Sequence, residues 1–490
     1  MTRAFNTRIV FRTMGALTLL EGLFMALATA VSWWYGEADA GAFSIATLVT
    51  LVTAGWGFVL GRKAASHVGE REGYVIVALV WVIFSLFGML PYYLSGQIPS
   101  FTDAWFETMS GFTTTGATIL TDIERLSHGA LFWRAMTQWL GGLGIIVLAV
   151  AILPMFGLGG MQLYAAEVTG LSYEKVSPRI TDTAKLLWVT YLVLTGLEIV
   201  LLWLEGMPIF DSVCHSMTTV ATGGFSTKNL SIAYYDSPLI QYTITFFMAL
   251  SAINFAMLIL LFRRKPQRLF QDEEVRWYLS AVGIVTLVLT VGLTLHNWIG
   301  HNTWAIEEHF RHAIFTTVAT MTSTGFGITD YMQWPPFLWV VVFFCMFPGG
   351  SSGSTAGGIK WARIAIFVKS GIAEFKHRIY PNAIVPVKLN GKPVGQQTTN
   401  NVMAFMVFYI IILFVTTLIF CATGVNFDES IGAAVSALGN IGPSIGQYGP
   451  AGTYALFPAI GKWVMTFAML IGRLEIFTVL LLFTRVLWKK

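Results

Sequence analysis

Four short stretches rich in Gly, Thr and Ser punctuate a chain of 490 residues: TTTGAT at 113–118, ATGGFS at 221–226, TSTGFG at 322–327 and NIGPSIG at 440–446. They recur roughly every hundred residues. Each keeps a Gly at what reads as an equivalent place: Gly116, Gly223, Gly325 and Gly442. Thr115, Thr222 and Thr324 stand directly before it, and Ile441 takes that place in the fourth. No stretch carries a charged side chain. The chemistry on offer is therefore backbone carbonyl oxygen, presented by flexible residues that permit positive φ and close approach. Rings of neutral carbonyls replace the hydration shell of a weakly hydrated monovalent cation better than that of Mg2+ or Ca2+. The candidate ligand groups are the backbones of Thr114, Thr115, Gly116, Ala221, Thr222, Gly223, Ser323, Thr324, Gly325, Asn440, Ile441 and Gly442. Ordinary Gly-rich turns would explain one such stretch. Four in register between paired apolar runs point to one shared site.

A second constellation is GGSSGSTAGGIK at 349–360, which follows Phe347-Pro348 inside an apolar run. Gly and Ser at this density hold a regular helix poorly. Gly353 and Gly358 have the separation of a phosphate-binding loop, but Ile359 occupies the Lys position and Trp361 follows Lys360. The motif fails, so no nucleotide is expected on this chain. A break lining a pore is the better reading. Arg473 lies within the last apolar run, where a charge is costly and usually faces a cavity or a partner. It reads as a fixed positive charge that raises the barrier to cations in a narrow pore, or as an Arg neutralised by Glu475.

The elements that must position these groups follow from composition. The chain is 55% hydrophobic, 14% aromatic and only 11% charged. Soluble domains carry about 25% charged residues, so a water-facing surface is excluded and the lipid bilayer is the expected environment. Three cysteines exclude a disulfide scaffold. A net charge of +4, spread over the ends of apolar runs, suggests no nucleic-acid partner. Runs long enough to cross about 30 Å of hydrocarbon lie near 9–34, 41–62, 73–95, 131–156, 184–205, 237–262, 276–298, 336–370, 397–422 and 455–487. Basic residues cluster on one side of these ten spans, which places both termini in the cytoplasm. Shorter segments near 102–112, 208–220, 307–321 and 427–439 suit re-entrant helices, each leading into one of the four stretches. Asp103, Asp211 and Asp428 sit where an acid meets the unpaired amides of a helix start.

The expected fold is an all-α polytopic membrane protein. Two leading transmembrane helices (1–68) precede four parallel repeats of span, pore helix, filter loop and span, at 69–160, 161–270, 271–392 and 393–490. Parallel repeats arrange around an axis along the membrane normal, here a pseudo-fourfold axial pore. Glu107, Glu198, Asn254 and His215 read as structural polar groups. The three cysteines read as buried small hydrophobes. Residues 171–185 and 376–392 read as a cytosolic docking surface.

The four loops, with GGSSGSTAGGIK and IGRLEIF at 471–477, resemble the Trk/Ktr/HKT superfamily of potassium transporters over essentially the whole chain. The two leading spans make it most similar to the bacterial Trk branch. The resemblance implies K+ as the transported ion, a bacterial inner-membrane location and a homodimer with one pore per subunit. It also implies control by a cytosolic ring of TrkA, the nucleotide-binding partner in that family. In the family a Gly at all four filter positions accompanies potassium preference. The resemblance makes Gly349, Gly350, Ser351, Ser352, Gly353, Ser354, Thr355, Ala356, Gly357 and Gly358 an intramembrane gating loop that acts with Arg473. Two departures are the absence of TVGYG in every loop and Pro443 after Gly442. The rival readings are an ion-coupled (H+ or Na+) symporter and, further off, a membrane-embedded enzyme. The first usually shows paired broken helices, and only one broken span is legible. The second needs converging catalytic groups, which the spans do not display.

Overall fold

The computed structural model describes residues 5–62, 64, 68–142, 144, 180–262, 266–301, 305–474 and 476–488. An apolar run in hydrocarbon must satisfy every backbone N–H and C=O within itself, and the helix does so. The leading pair is α1 (Thr7–Trp34) and α2 (Ala40–Leu60). Asn6 caps α1 by accepting from the Ile9 amide. The two helices approach closely at small residues. A Cβ on Gly57 would stand 2.7 Å from the Cα of Gly15, and one on Gly15 would stand 2.9 Å from the Ala54 carbonyl oxygen.

The helices that follow run in the order of the four expected units, each of which contains one of the expected short helices. The first holds α3 (Glu70–Gly88), α4 (Leu90–Leu94), the short α5 (Phe101–Phe112) and α6 (His128–Gly142). The second holds α7 (Ile180–Leu204), the short α8 (Ile209–Val220), α9 (Pro238–Ser251) and α10 (Phe255–Phe262), then the linker helix α11 (Pro266–Gln271). The third holds α12 (Glu273–His301), the short α13 (Ile306–Met321), α14 (Pro336–Cys345) and α15 (Trp361–Ile379). The fourth holds α16 (Gln396–Ala422), the short α17 (Phe427–Gly439), α18 (Ala459–Leu474) and α19 (Ile476–Leu482), with α20 (Arg485–Trp488) at the end. At 1.5 Å per residue the short helices are about 18–24 Å long, too short to cross. Their starts fall within a residue or so of the expected segments.

Among the described residues six helices are long and apolar enough to cross a membrane, seven if α18 and α19 form one span bent by 117°. The expectation was ten crossings, of which only the eighth was broken. Among the described residues the difference lies in the sixth, eighth and tenth runs. The sixth apolar run is interrupted at Ala252–Asn254, the eighth between Cys345 and Trp361, and the tenth between Leu474 and Ile476. The latter half of the run near 131–156 lies outside the described residues. So do most of the proposed docking segment 171–185 and the whole of Glu475. The single broken span expected from sequence is therefore corrected to three. Ala252 and Ile253 are apolar, so a hydropathy window runs through the break without a signal.

The acids of the first two short helices, Asp103, Glu107 and Asp211, each have a partner. Ser100 caps α5 at the Asp103 amide, and Asp103 pairs with Lys462 at 2.7 Å. Asp211 accepts from Thr227 and Tyr235, both at 2.7 Å. Glu107 forms a buried ion pair with Arg134 at 2.7 Å and accepts from the Ile119 amide at 3.0 Å. The Asp211 and Glu107 contacts tie the chain that returns from a loop, or the span behind it, to the helix before that loop, while Asp103 ties the first short helix to α18 (Ala459–Leu474).

Overpacking a tight helix contact costs about 1–3 kcal/mol. Gly57→Leu should therefore lower the thermal transition of the detergent-purified protein, while the potassium-to-sodium ratio of transport stays unchanged. An unchanged transition would show that the close approach of Gly15 and Gly57 is not needed.

Candidate functional site

The four short helices end in the same way. In each, a residue adopts the left-handed conformation that terminates the helix: Thr114 (φ 53), Thr222 (φ 54), Ser323 (φ 53) and Asn440 (φ 52). The amide of that residue donates to a carbonyl three residues back, and the next amide donates five residues back. The pairs are Thr114 to Gly111 and Thr115 to Ser110, then Thr222 to Thr219 and Gly223 to Thr218. They continue with Ser323 to Thr320 and Thr324 to Ala319, then Asn440 to Ala437 and Ile441 to Ser436. This is the Schellman termination, made four times. Two residues after the left-handed position a glycine takes positive φ: Gly116 (77), Gly224 (81), Gly325 (78) and Gly442 (94).

This register corrects one sequence assignment. Gly224, not Gly223, is the backbone equivalent of Gly116, Gly325 and Gly442. Gly223 fills the place of Thr115, Thr324 and Ile441. Two consecutive glycines made the Thr-Gly match ambiguous, and the cap geometry resolves it.

The glycines also lock the loops together. A Cβ on Gly116 would lie 2.2 Å from the Gly223 oxygen, one on Gly224 1.9 Å from the Thr324 oxygen, one on Gly325 1.9 Å from the Ile441 oxygen, and one on Gly442 2.6 Å from the Thr115 oxygen. The contacts run from first loop to second, third, fourth and back to the first. Positive φ and a neighbouring carbonyl at bonding range both require glycine at these four places.

The loops are buried, and their carbonyls are mostly unpaired. Thr114, Thr115, Thr222, Thr324 and Asn440 have no exposed surface. Among the described residues the Gly223 carbonyl accepts from Gln138 Nε2 and the Gly442 carbonyl from Ser436 and Tyr454. The carbonyls of Thr114, Thr115, Gly116, Thr222, Gly224, Ser323, Thr324, Gly325, Asn440 and Ile441 accept from no described donor. A buried carbonyl without a donor costs free energy, and a cation or its water is the remaining class of partner. The scaffold fixes the loops from behind. Gln138 also accepts from the Phe225 amide. Arg134 donates to the Ser226 carbonyl and lies 3.7 Å from the Phe225 ring. Asn440 donates to Thr115 Oγ1 and to the Met469 carbonyl. Gln138 and Arg134 lay in an apolar run with no sequence signal beyond their polarity.

Residues 348–359 form a loop closed at its base. The Gly349 amide donates to Ile359 at 2.9 Å and the Ile359 amide to Phe347 at 3.1 Å. Gly353 (φ 76) and Gly358 (φ 67) make its turns. The loop sits against the starts of two of the four stretches. The Gly357 amide donates to Ser323 Oγ at 2.6 Å, and a Cβ on Gly357 would lie 2.9 Å from Asn440 Cβ. Sideways it enters the break in the sixth run. The Ser351 amide donates to Ala252, and Phe255 donates to Gly353. Thr355 Oγ1 donates to the Ser251 carbonyl. Asn254 caps the restarting helix through the Ala256 amide. Arg473 donates to the Thr355 carbonyl at 2.7 Å and to the carbonyls of Gly141 and Gly142. One guanidinium thus joins the second spans of the first, third and fourth units. Glu274, which sequence reading passed over, accepts from the loop at the Ser352 amide and from the first turn of α15 at the Ala362 amide.

The remaining polar residues have local roles or none at the loops. His215 is buried between the Asp211 carbonyl and Ser226 Oγ. Glu198 is fully buried, so it is not on a subunit surface. Cys214 and Cys345 are buried, while Cys421 is only half-buried.

A substitution pair separates the two glycine registers. Gly224→Ala meets both a left-handed backbone, costing about 1–2 kcal/mol, and a rigid carbonyl oxygen at 1.9 Å. Gly223→Ala meets the Gln138 side chain at 2.4 Å, which can move. Transport should fall at least about tenfold in Gly224→Ala and by less in Gly223→Ala, measured as rubidium uptake into liposomes. The reverse order would refute the assigned register.

Similarity to known proteins is consistent along the whole chain. The family model for TrkH, described as a cation transport protein, matches residues 42–489. The Trk system potassium uptake protein TrkH of Halomonas elongata is 38% identical over 99% of this chain and 100% of its own length. The protein of the same name from Escherichia coli strain K12 is 38% identical, covering 99% of each chain. The crystal structure of the potassium transporter TrkH from Vibrio parahaemolyticus aligns with a TM-score of 0.89 at 35% identity, over 99% of this chain and 100% of that one. A family match over residues 42–489, relatives aligned over nearly their whole length and a shared fold make this chain a membrane transporter, not an enzyme, that belongs to the TrkH family of cation transport proteins.

Proposed function

We propose that the chain is the potassium-conducting pore of a Trk-type uptake system in a bacterial inner membrane, with both termini cytoplasmic. The observation that carries this reading is the closed set of four loops whose buried carbonyls lack donors. The stretches hold no charged group, so the ligand field is neutral oxygen, which suits K+. The helix ends that lead into the loops present their negative dipole ends to the same place. The ligand groups are the backbones of the twelve residues at 114–116, 221–223, 323–325 and 440–442, with Gly224 added by the observed register. The chain divides into the leading pair at 1–68 and four units at 69–160, 161–270, 271–392 and 393–490 around the pore.

The gate in this reading is residues 349–358 with Arg473. The loop lies against Ser323 and Asn440, where two filter loops begin. Arg473 links it to Gly141 and Gly142 opposite. Together they close the passage beneath the filter and leave a positive charge in it. A nucleotide-binding TrkA-like ring acts on this gate from the cytosol, and two copies of the chain form a homodimer with one pore each.

Three interrupted second spans bear on the alternative, an H+- or Na+-coupled symporter. Broken helices in inverted halves mark alternating access. Here the breaks meet one another at Ser251, Ala252, Thr355 and Arg473, which suits a constriction shared by parallel units.

Uptake of rubidium into liposomes, driven only by an outward potassium gradient and resistant to excess sodium, is the expected result. No uptake until a proton or sodium gradient is imposed would replace the pore with a coupled transporter. A unit charge within about 8 Å of the ion, at an effective dielectric of about 20, raises its barrier by about 2 kcal/mol, or roughly thirtyfold in rate. Arg473→Ala should therefore raise basal flux by about that factor in folded protein. Unchanged basal flux would remove Arg473 from the gate.

A further inference from the structure

Glu274 is 7% exposed and sits in the first turn of α12. One carboxylate oxygen accepts from the Ser352 amide at 2.6 Å, Ser352 Oγ at 3.1 Å and the Ala362 amide at 3.0 Å. Ser352 lies on the descending limb of the loop and Ala362 just past its closed base. Hydrogen bonds to an ionised acceptor are about twice as strong as neutral ones. This oxygen therefore pins one limb of the loop and the start of α15 to the first turn of α12.

The same helix end is held from the other side by a hairpin. β1 (Lys388–Leu389) and β2 (Lys392–Pro393) pair antiparallel through a two-residue turn. Asn390 (φ 50) and Gly391 (φ 75) give that turn the left-handed pair that tight hairpins need. Asn390 Oδ1 accepts from the Glu273 amide at 2.7 Å, and the Asn390 amide donates to the Glu273 carboxylate at 2.9 Å. Asn390 Nδ2 donates to Asp272 at 2.8 Å, and Asp272 in turn caps α12 at the Val275 amide. Lys369 Nζ bonds both the Glu273 carboxylate and the Lys388 carbonyl. The contacts are continuous from an exposed turn, through three consecutive acids, to the loop inside the membrane.

We infer that Glu274 is a positioning residue of the gate, holding residues 349–358 in the closed arrangement, and that Asn390 sets the position of Glu274 by docking the hairpin on the start of α12. This rests on the reading of 349–358 as the gate. The coupling is local and two-sided. Release of the hairpin frees the first turn of α12, and loss of the first turn frees the loop at Ser352 and the start of α15 at Ala362.

The test uses the purified full-length chain in liposomes without any partner protein. Glu274→Ala, Glu274→Gln, Asn390→Gly and Arg473→Ala are compared for basal rubidium flux, potassium-to-sodium ratio and hydrogen exchange of the amides at 349–362. Asn390→Gly keeps the turn conformation and its backbone bond but removes the side-chain bonds to Asp272 and Glu273. Glu274→Gln keeps the shape and one acceptor oxygen but removes the charge. Basal flux should rise about tenfold in Glu274→Ala, which corresponds to about 1.4 kcal/mol of closed-state preference, and by less in the other two. Exchange at Ser352 and Ala362 should speed up in Asn390→Gly, although the substitution lies outside the loop, with the ion ratio unchanged. If Arg473→Ala raises flux while the Glu274 and Asn390 variants leave flux and exchange unaltered, the inference is overturned and the gate stands. If neither Arg473→Ala nor Glu274→Ala changes flux, the gate reading itself fails and the inference with it. Should Glu274→Ala not fold, Glu274→Gln and Asn390→Gly decide the matter by the same criteria.

Discussion

Everything in this molecule is arranged around buried backbone carbonyls that the protein does not pair. In hydrocarbon an irregular backbone is tolerated only where protein or a wet cavity satisfies it. The four loops meet that condition in two ways. Two amides of each loop are taken up by the Schellman bonds at the helix ends, and a carbonyl of each loop abuts a glycine of its neighbour, 1.9–2.6 Å from where a Cβ would stand. Such spacing leaves no room for a side chain. The surrounding polar groups, among them Gln138, Arg134 and Tyr454, hold the loops in place by bonds to the Gly223, Ser226 and Gly442 carbonyls.

The second constraint lies directly below the first. Three of the second spans are interrupted, and the freed backbone groups are satisfied by one another. Ser251 and Ala252 accept from the loop at 351–355, and Arg473 takes up carbonyls from two further units. A break in one span is therefore completed by a break in another. This makes the constriction a collective object, sensitive to the position of any of its parts. Glu274 extends it towards the membrane surface, since a single carboxylate reaches the loop from a helix whose start is docked to a hairpin.

Much of this was legible along the chain. The short helices were placed by length and by the Gly/Thr/Ser stretches that follow them, and their acids were recognised as helix-start residues. What escaped is equally specific. The choice between Gly223 and Gly224 depends on which residue of the loop is left-handed, and adjacent glycines carry no sequence mark of that. The break at Ala252–Asn254 opens on apolar Ala252 and Ile253, so hydropathy continues into it. Glu274 looked like an ordinary acid at the start of a span.

The sequence by itself determined the class of molecule, the order of its elements and the neutral oxygen chemistry of its loops. Composition, run length and local helix-ending signals act over a few residues and need no tertiary information. Only the tertiary structure decided the register of the second loop, the closure of the four loops upon one another, and the meeting of Arg473, Thr355 and Gly141. Those depend on groups that are up to several hundred residues apart in the chain. Their contacts are set by packing distance, which no local pattern encodes.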